Sequence, residues 1–454
     1  MPSRLRHLLV DRDALGALVL TASFPFLFIH ERFQPEYGVA LGSTTADVRI
    51  SDVALLAVFV IAVVSAVRHG VDRLAAGRAL WLAGAALLAW LAFETLRPAS
   101  TADALFDENL VSFLKFGEYA LLALAVPLLV RRADDLTIVL GGLVLWSAVA
   151  AGVALLQFFG LDLFATTSAG WRYPSFLGRH DLAALAVLST SIASAGLIVG
   201  RRHMPCRALF AVALIGGVGG LVLAGSVAAA GGLAVGAVAL ALAGRRRFTP
   251  SGLQLLALAA VVAVVGGGVI AIRSAALDDF LQFVGIRSED ATVGVESYSQ
   301  RTVLGYIGLR IFEDNPIVGV GWQRSSRPDV FEPYIPDARE RFPDVVELAF
   351  PAEGREWGVQ NLYIQMLADA GVIGLVLLLA VGASGLVLAW RTATYAPNPW
   401  AAGAGLAVLC ALLTLAGEWA SLGIVAGIPL QAATCLLLGL AAAGAATVEE
   451  ETDV

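Results

Sequence analysis

Four arginines, Arg172, Arg179, Arg301 and Arg355, stand in polar segments beside long apolar runs. A guanidinium stays charged at any working pH, and its fork grips diphosphate or carboxylate at two points. Each one alone reads equally as an interface anchor or a loop salt bridge. Four on one face of a membrane, in the two segments that hold most of the outer aromatic and acidic residues, point to an anionic ligand such as the phosphate of a lipid-linked substrate. His180 lies between Arg179 and Asp181, whereas His7, His69 and His203 fall in basic segments. With His30 it is one of two histidines on the other side, and it is the one placed to carry a proton, although a lone loop histidine also serves structure. Glu356 and Gln360 are four apart just ahead of an apolar run. If that helix starts early they share one face and meet a common ligand; otherwise Glu356 is an acidic first turn favoured by the helix dipole. Lys115 and Glu118, three apart, read as an internal ion pair or as a lysine snorkelling to the interface. Glu418 reads as the polar part of a short turn.

Positioning these groups falls to membrane helices. Hydrophobic residues make up 58% of the chain and charged ones 15%, and the mean hydropathy of +0.79 lies beyond a soluble globular average. Apolar runs long enough to cross about 30 Å of hydrocarbon recur near 14–30, 52–67, 79–94, 111–130, 136–157, 182–200, 208–224, 226–243, 252–273, 363–390, 400–416 and 422–443. The runs are continuous and rich in Ala, Leu and Gly rather than alternating, which excludes a pore-like β-barrel. The expected fold is an all-α polytopic membrane protein of about twelve spans with one large, partly helical extracytoplasmic loop.

Basic short loops stay in the cytoplasm, and counting from a cytoplasmic N-terminus puts every basic loop inside. These loops carry Arg4, Arg6 and Arg12; Arg68, Arg73 and Arg78; Arg131 and Arg132; Arg201, Arg202 and Arg207; Arg245, Arg246 and Arg247; and Arg391. The alternate loops are richer in acid, as at Asp103, Asp107 and Glu108. The expected division is membrane helices over 1–273, an extracytoplasmic loop region over 274–362, membrane helices over 363–443 and an acidic cytoplasmic tail over 444–454. The net charge of −7 comes partly from that loop and partly from the tail. The first apolar run lacks a small-x-small cleavage site and reads as a retained anchor. Cys206, Cys410 and Cys435 make no disulfide framework or metal spacing. Gly-rich stretches such as 216–220 and 266–268 lack the Lys-Ser/Thr of a phosphate loop and read as close helix packing. No internal repeat and no discontinuous helix with facing ionic residues is apparent, which weakens a transporter reading.

Two phrases stand out: 301–322, RTVLGYIGLRIFEDNPIVGVGW, and 360–377, QNLYIQMLADAGVIGLVL. In the first, Val303, Leu304, Ile307, Leu309 and Ile311 keep a helical rhythm. Pro316 then ends the helix, and Gly319 and Gly321 turn the chain. On these residues the region from about 205 to 385 resembles the O-antigen ligase and O-antigen polymerase superfamily of bacterial envelope glycosyltransferases. The matching residues are Arg301, the D-x-P-hydrophobic-x-G-x-G phrase Asp314 to Gly321, Asn361-Leu362-Tyr363, and Gly371 with Gly374. Arg172, Phe176, Asp181, Leu182 and Ala183 look like the family's segment before its sixth span. Two positions depart from the pattern. The family's catalytic-site His is Gln360 here, and its Ser-Arg pair is Ser226-Val227.

The resemblance implies a polytopic enzyme of the bacterial plasma (inner) membrane with its active face extracytoplasmic. It would move or polymerise a polyprenyl-diphosphate-linked glycan onto a lipid, protein or polysaccharide acceptor. An acceptor hydroxyl would attack C1 and diphosphate would leave, so positioning and charge neutralisation dominate. Arg172, Arg179 and Arg301 would hold the diphosphate, and Gln360 and Asn361 would orient the acceptor. Gln cannot be a general base, so Glu356, His180 or Asp181 would take the proton. The alternative is a catalytically silent relative that binds lipid-linked glycan or scaffolds envelope assembly. The expected partners are membrane, glycan donor and acceptor, with no nucleic acid. No acidic cluster has metal-ligand spacing, so no cofactor is expected. The orientation has a direct check: a reporter active only outside the cytoplasm should work when fused at Pro333 and stay silent at Arg246. The reverse pattern would turn the molecule over.

Overall fold

The computed structural model describes residues 15–42, 44–97, 104–164, 172–200, 206–274, 297–343, 345, 347–352, 354–424 and 427–452. Eleven helices among them are long and apolar enough to cross a membrane, and a shorter apolar helix, Leu15–Leu27, precedes them. In chain order these are α1 (Leu15–Leu27), α2 (Ile50–His69), α3 (Arg78–Leu96), α4 (Ala104–Leu129), α5 (Ala133–Phe158), α6 (Arg179–Val199), α7 (Arg207–Ala224), α8 (Val227–Arg247) and α9 (Gly252–Ile272). After α10 (Ser297–Asp314), α11 (Pro328–Phe331) and α12 (Ile335–Arg341) come α13 (Leu362–Tyr395), α14 (Pro399–Trp419) and α15 (Pro429–Thr452). Each apolar run read from the sequence carries one of these helices. The protein is an all-α polytopic membrane protein.

Three features depart from the sequence reading. A two-stranded antiparallel hairpin, β1 (Glu36–Leu41) with β2 (Thr44–Arg49), stands between α1 and α2. The last helix runs on to Thr452 with Ala445, Ala446 and Val448 buried, so residues 444–452 continue the helix of the last span. Lys115 pairs with Asp52 of α2 rather than with Glu118, because α2 packs alongside α4.

The bundle is built around α6, whose apolar stretch is 94% buried. Small residues let its neighbours close in, as expected for helices that associate by packing rather than by hydrophobic exclusion. A Cβ on Gly217 would stand 2.6 Å from the Thr190 backbone nitrogen, and one on Gly232 would stand 2.6 Å from the Thr414 carbonyl oxygen. The glycine-rich stretch at 216–220 is therefore a contact surface for α6 and α5. Gly268 likewise meets Val222.

The long helix α13 is broken. Gly371 adopts φ 66° and ψ −169°, and the backbone around it leaves the helical ladder. Here the expectation of uninterrupted helices fails, since apolar residues flank the break and hydropathy does not register it. Irregular backbone at membrane depth must find partners within the protein, and the phrase 315–322 supplies them. Val320 N donates to Ala368 O at 2.9 Å, Gly321 N to Asp369 O at 2.8 Å, and Val372 N to Pro316 O at 2.9 Å. Trp90 Nε1 of α3 donates to Ala370 O at 3.0 Å. The Asp369 carboxylate, fully buried, accepts from Ser325 N at 2.8 Å and Gln365 Nε2 at 3.2 Å. Gly319 and Gly321 have φ 70° and 115°, and at Gly319 a side chain would run into Asp369 and Ala370. The phrase's glycines thus serve close approach as well as turning.

The segment after α9 has a core of its own. Val303, Ile307 and Ile311 point one face of α10 onto Phe331, Ala338, Phe350 and Ala368. Leu304 is buried as the rhythm requires, whereas Leu309 is exposed. Arg97 Nη2 donates to Gly319 O at 2.8 Å, and Trp322 N to Glu94 O at 3.2 Å, fastening the same phrase to α3.

Replacing Gly371 with Ala forces a left-handed backbone and drives a Cβ into the Ile317 carbonyl. Gly371→Ala should lose at least about 1–3 kcal/mol of stability, read as a lower thermal midpoint of the detergent-solubilised protein. Gly382→Ala, in the same helix with open space around it, should be neutral or slightly stabilising.

Candidate functional site

Three helix ends and two loops converge at the end of the bundle where α13 begins. Gly178, with φ 97°, lets the chain turn tightly into α6, so Arg179, His180 and Asp181 occupy its first turn. Asp181 faces inward, 8% exposed, and its Oδ1 accepts from Leu430 N of α15 at 2.9 Å. It caps a neighbouring helix.

His180 meets a carboxylate that the sequence reading took for turn polarity. Glu418 sits in the last turn of α14 with 0% exposure. A carboxylate there opposes the helix dipole and has lost its water, so it needs donors. His180 Nδ1 lies 2.5 Å from its Oε1, and Ser226 Oγ donates to its Oε2. Ser226 also N-caps α8, accepting from Ala229 N at 3.2 Å. Arg172, 7% exposed, is close enough to act on the Glu418 charge. Because an ionised carboxylate only accepts, the proton of a neutral His180 lies on Nδ1, leaving Nε2 with its lone pair.

That Nε2 faces Arg301 Nη2 at 3.5 Å, and Arg301 Nε donates to Gln360 Oε1 at 2.8 Å. A continuous polar chain therefore runs Gln360–Arg301–His180–Glu418–Ser226 and joins α10, the start of α13, α6, α14 and the start of α8. Asn361 fixes one end of it. Its Oδ1 caps α13 by accepting from Tyr363 N and Ile364 N at 3.0 and 3.1 Å, while its Nδ2 donates to Ala420 O at 2.9 Å.

Arg179 lies near Arg273, the residue that follows α9, and the two like charges repel. Arg273 was missed because it sits at the edge of an apolar run and reads as an interface residue. Ser226 and Glu418 were missed as members of the chain because their partners lie 192 and 238 residues from Glu418 in sequence. A lone carboxylate at the end of an apolar run was the available signal.

The Glu356 expectation changes. The helix starts at Leu362, so Glu356 and Gln360 precede it and share no helical face. The Glu356 carboxylate pairs with Arg327, a 7% exposed guanidinium that also holds Glu108 Oε2 of α4 at 2.6 Å. Glu356 thereby helps tie this segment to α4. Arg355 is exposed. His30 accepts from Arg32 N at 3.2 Å, and burial holds its pKa below the ordinary imidazole value.

Residues 209–379 match the family model described as O-antigen ligase. No curated protein matches the chain.

Proposed function

We propose, from the match of residues 209–379 to the O-antigen ligase family model, that the chain is a glycosyltransferase acting on a polyprenyl-diphosphate-linked glycan. Its site would face outward from the bacterial inner membrane. The observation that carries the reading is the gathering of cations at one end of the bundle. Arg273 is close enough to act on the charge of Arg179, and Arg301 reaches His180, the residue next to Arg179. Guanidinium forks gathered in this way suit an anion that they can grip at two points. A diphosphate with its C1–O bond breaking is such an anion, and it gains charge as the reaction proceeds.

In this reading Arg179, Arg273 and Arg301 hold the diphosphate. Arg172 balances Glu418 beneath them, and Gln360 and Asn361 border the acceptor. The acceptor is a hydroxyl of a lipid, protein or polysaccharide. Gln360 has a definite task, since its Oε1 holds Arg301 Nε and so aims the remaining guanidinium nitrogens. The competing reading, a silent relative that binds the glycan lipid or scaffolds its assembly, draws on the same residue, whose amide takes no proton.

Purified protein supplied with polyprenyl-diphosphate glycan should release polyprenyl diphosphate. Arg301→Ala should lower transfer by about 10²–10³-fold, the scale of losing one donor at a developing charge, and weaken donor binding. Arg301→Lys should keep part of both, because lysine keeps the charge and loses the fork. Full transfer in Arg301→Ala at normal expression would reduce the residue to a loop anchor. Absence of turnover in the unaltered protein would favour the silent relative.

A further inference from the structure

We propose that His180 is the general base of this site and that Glu418 is its positioning residue, so that the proton-accepting role has moved from position 360 to the first turn of α6. The proposal rests on the transferase reading above. Three observations on geometry lead to it. Glu418 is wholly buried, and one of its oxygens faces His180 Nδ1 at 2.5 Å while Ser226 Oγ takes the other. A carboxylate fixed on both oxygens sets the imidazole's orientation and tautomer, leaving Nε2 as the acceptor and stabilising the imidazolium once it forms, the division of labour of a histidine–carboxylate pair. Nε2 points toward Arg301 at 3.5 Å, the cation assigned to the diphosphate, so the base and the leaving-group contact lie side by side.

The two carboxylates that the sequence offered as alternative bases, Asp181 and Glu356, are engaged elsewhere. Asp181 caps α15 through Leu430 N, and Glu356 pairs with Arg327. Gln360 holds Arg301.

The step balances. The acceptor oxygen forms its bond to C1 of the donor sugar as its O–H proton passes to His180 Nε2. The C1–O bond to diphosphate breaks, and its electron pair stays on the leaving diphosphate, whose charge the arginines neutralise. The imidazolium, held against Glu418, returns its proton to water as the products leave. Arg301 also governs access to this base. Drawn to the donor's phosphate, its Nη2 leaves the Nε2 lone pair to the acceptor hydroxyl.

The test uses the full-length protein in detergent or nanodiscs, with polyprenyl-diphosphate glycan as donor and a saturating hydroxyl acceptor. Donor binding, measured separately, serves as the check on folding. His180→Gln should lower kcat by about 10²–10⁴-fold, the worth of a positioned base, with donor binding retained. Glu418→Gln, which keeps the shape of the buried side chain, should lower kcat by at least about tenfold with KM for donor little changed. Added imidazole should restore part of the activity of His180→Ala, a rescue that a purely structural role would not give. Full transfer by His180→Gln, or loss of transfer in Glu356→Gln alone, overturns the base assignment and leaves the transferase reading standing. Absence of transfer in the unaltered protein overturns both.

Discussion

The break in α13 is the constraint around which the rest is arranged. Amide and carbonyl groups released from a helix inside an apolar bundle have no water to bind, and each left alone costs several kcal/mol on an apolar scale of roughly 2–7 kcal/mol. The glycine-bearing phrase after α10 meets them one by one, through Val320, Gly321 and the Pro316 carbonyl. It is in turn fastened to α3 through Arg97 and Glu94. What looks like a loop motif is therefore the missing wall of a membrane helix. Once α10 and its phrase are docked there, Arg301 lies opposite the start of α13, where Asn361 sets the position of Gln360.

The electrostatics follow from that placement. The bundle interior holds the Glu418 carboxylate against the unfavourable end of its own helix, and gives it an imidazole, a hydroxyl and the nearby charge of Arg172. Cations gather nearby, with Arg273 acting on the charge of Arg179 and Arg301 reaching the imidazole. In the proposed reaction this arrangement gives the moving proton and the leaving anion separate partners.

The parts of this arrangement that follow from local chemistry were legible in the sequence. Continuous apolar runs marked the spans, and the rhythm of Val303, Ile307 and Ile311 marked the face of α10 that is buried. Arg301 and His180 stood out because a cation and an imidazole beside a bilayer are costly without a task. The remainder depended on which helices meet. Lys115 chose Asp52 on another helix over Glu118 one turn away. Glu356 looked like a partner for Gln360 only under a helix that starts earlier than Leu362, where this one begins. Glu418 is an ordinary turn residue until α14 is laid against α6, and Gly371 is an ordinary helix glycine until the phrase at 315–322 arrives beside it.

The burial of α6 has a consequence for how the molecule is made. A helix with almost no lipid-facing side gains little from solitary residence in the bilayer, and its serines and threonines at 189–191 and 194 are all buried within the protein. Its histidine-bearing turn finds its carboxylate on α14, 238 residues later in the chain. During synthesis the first half of the pair must therefore wait in the membrane, enclosed by early helices such as α5 and α7, until the ribosome has delivered α14. Assembly of the polar chain is thus a late event in biogenesis, and a truncated product that lacks α14 would insert its early spans yet carry only half of the pair.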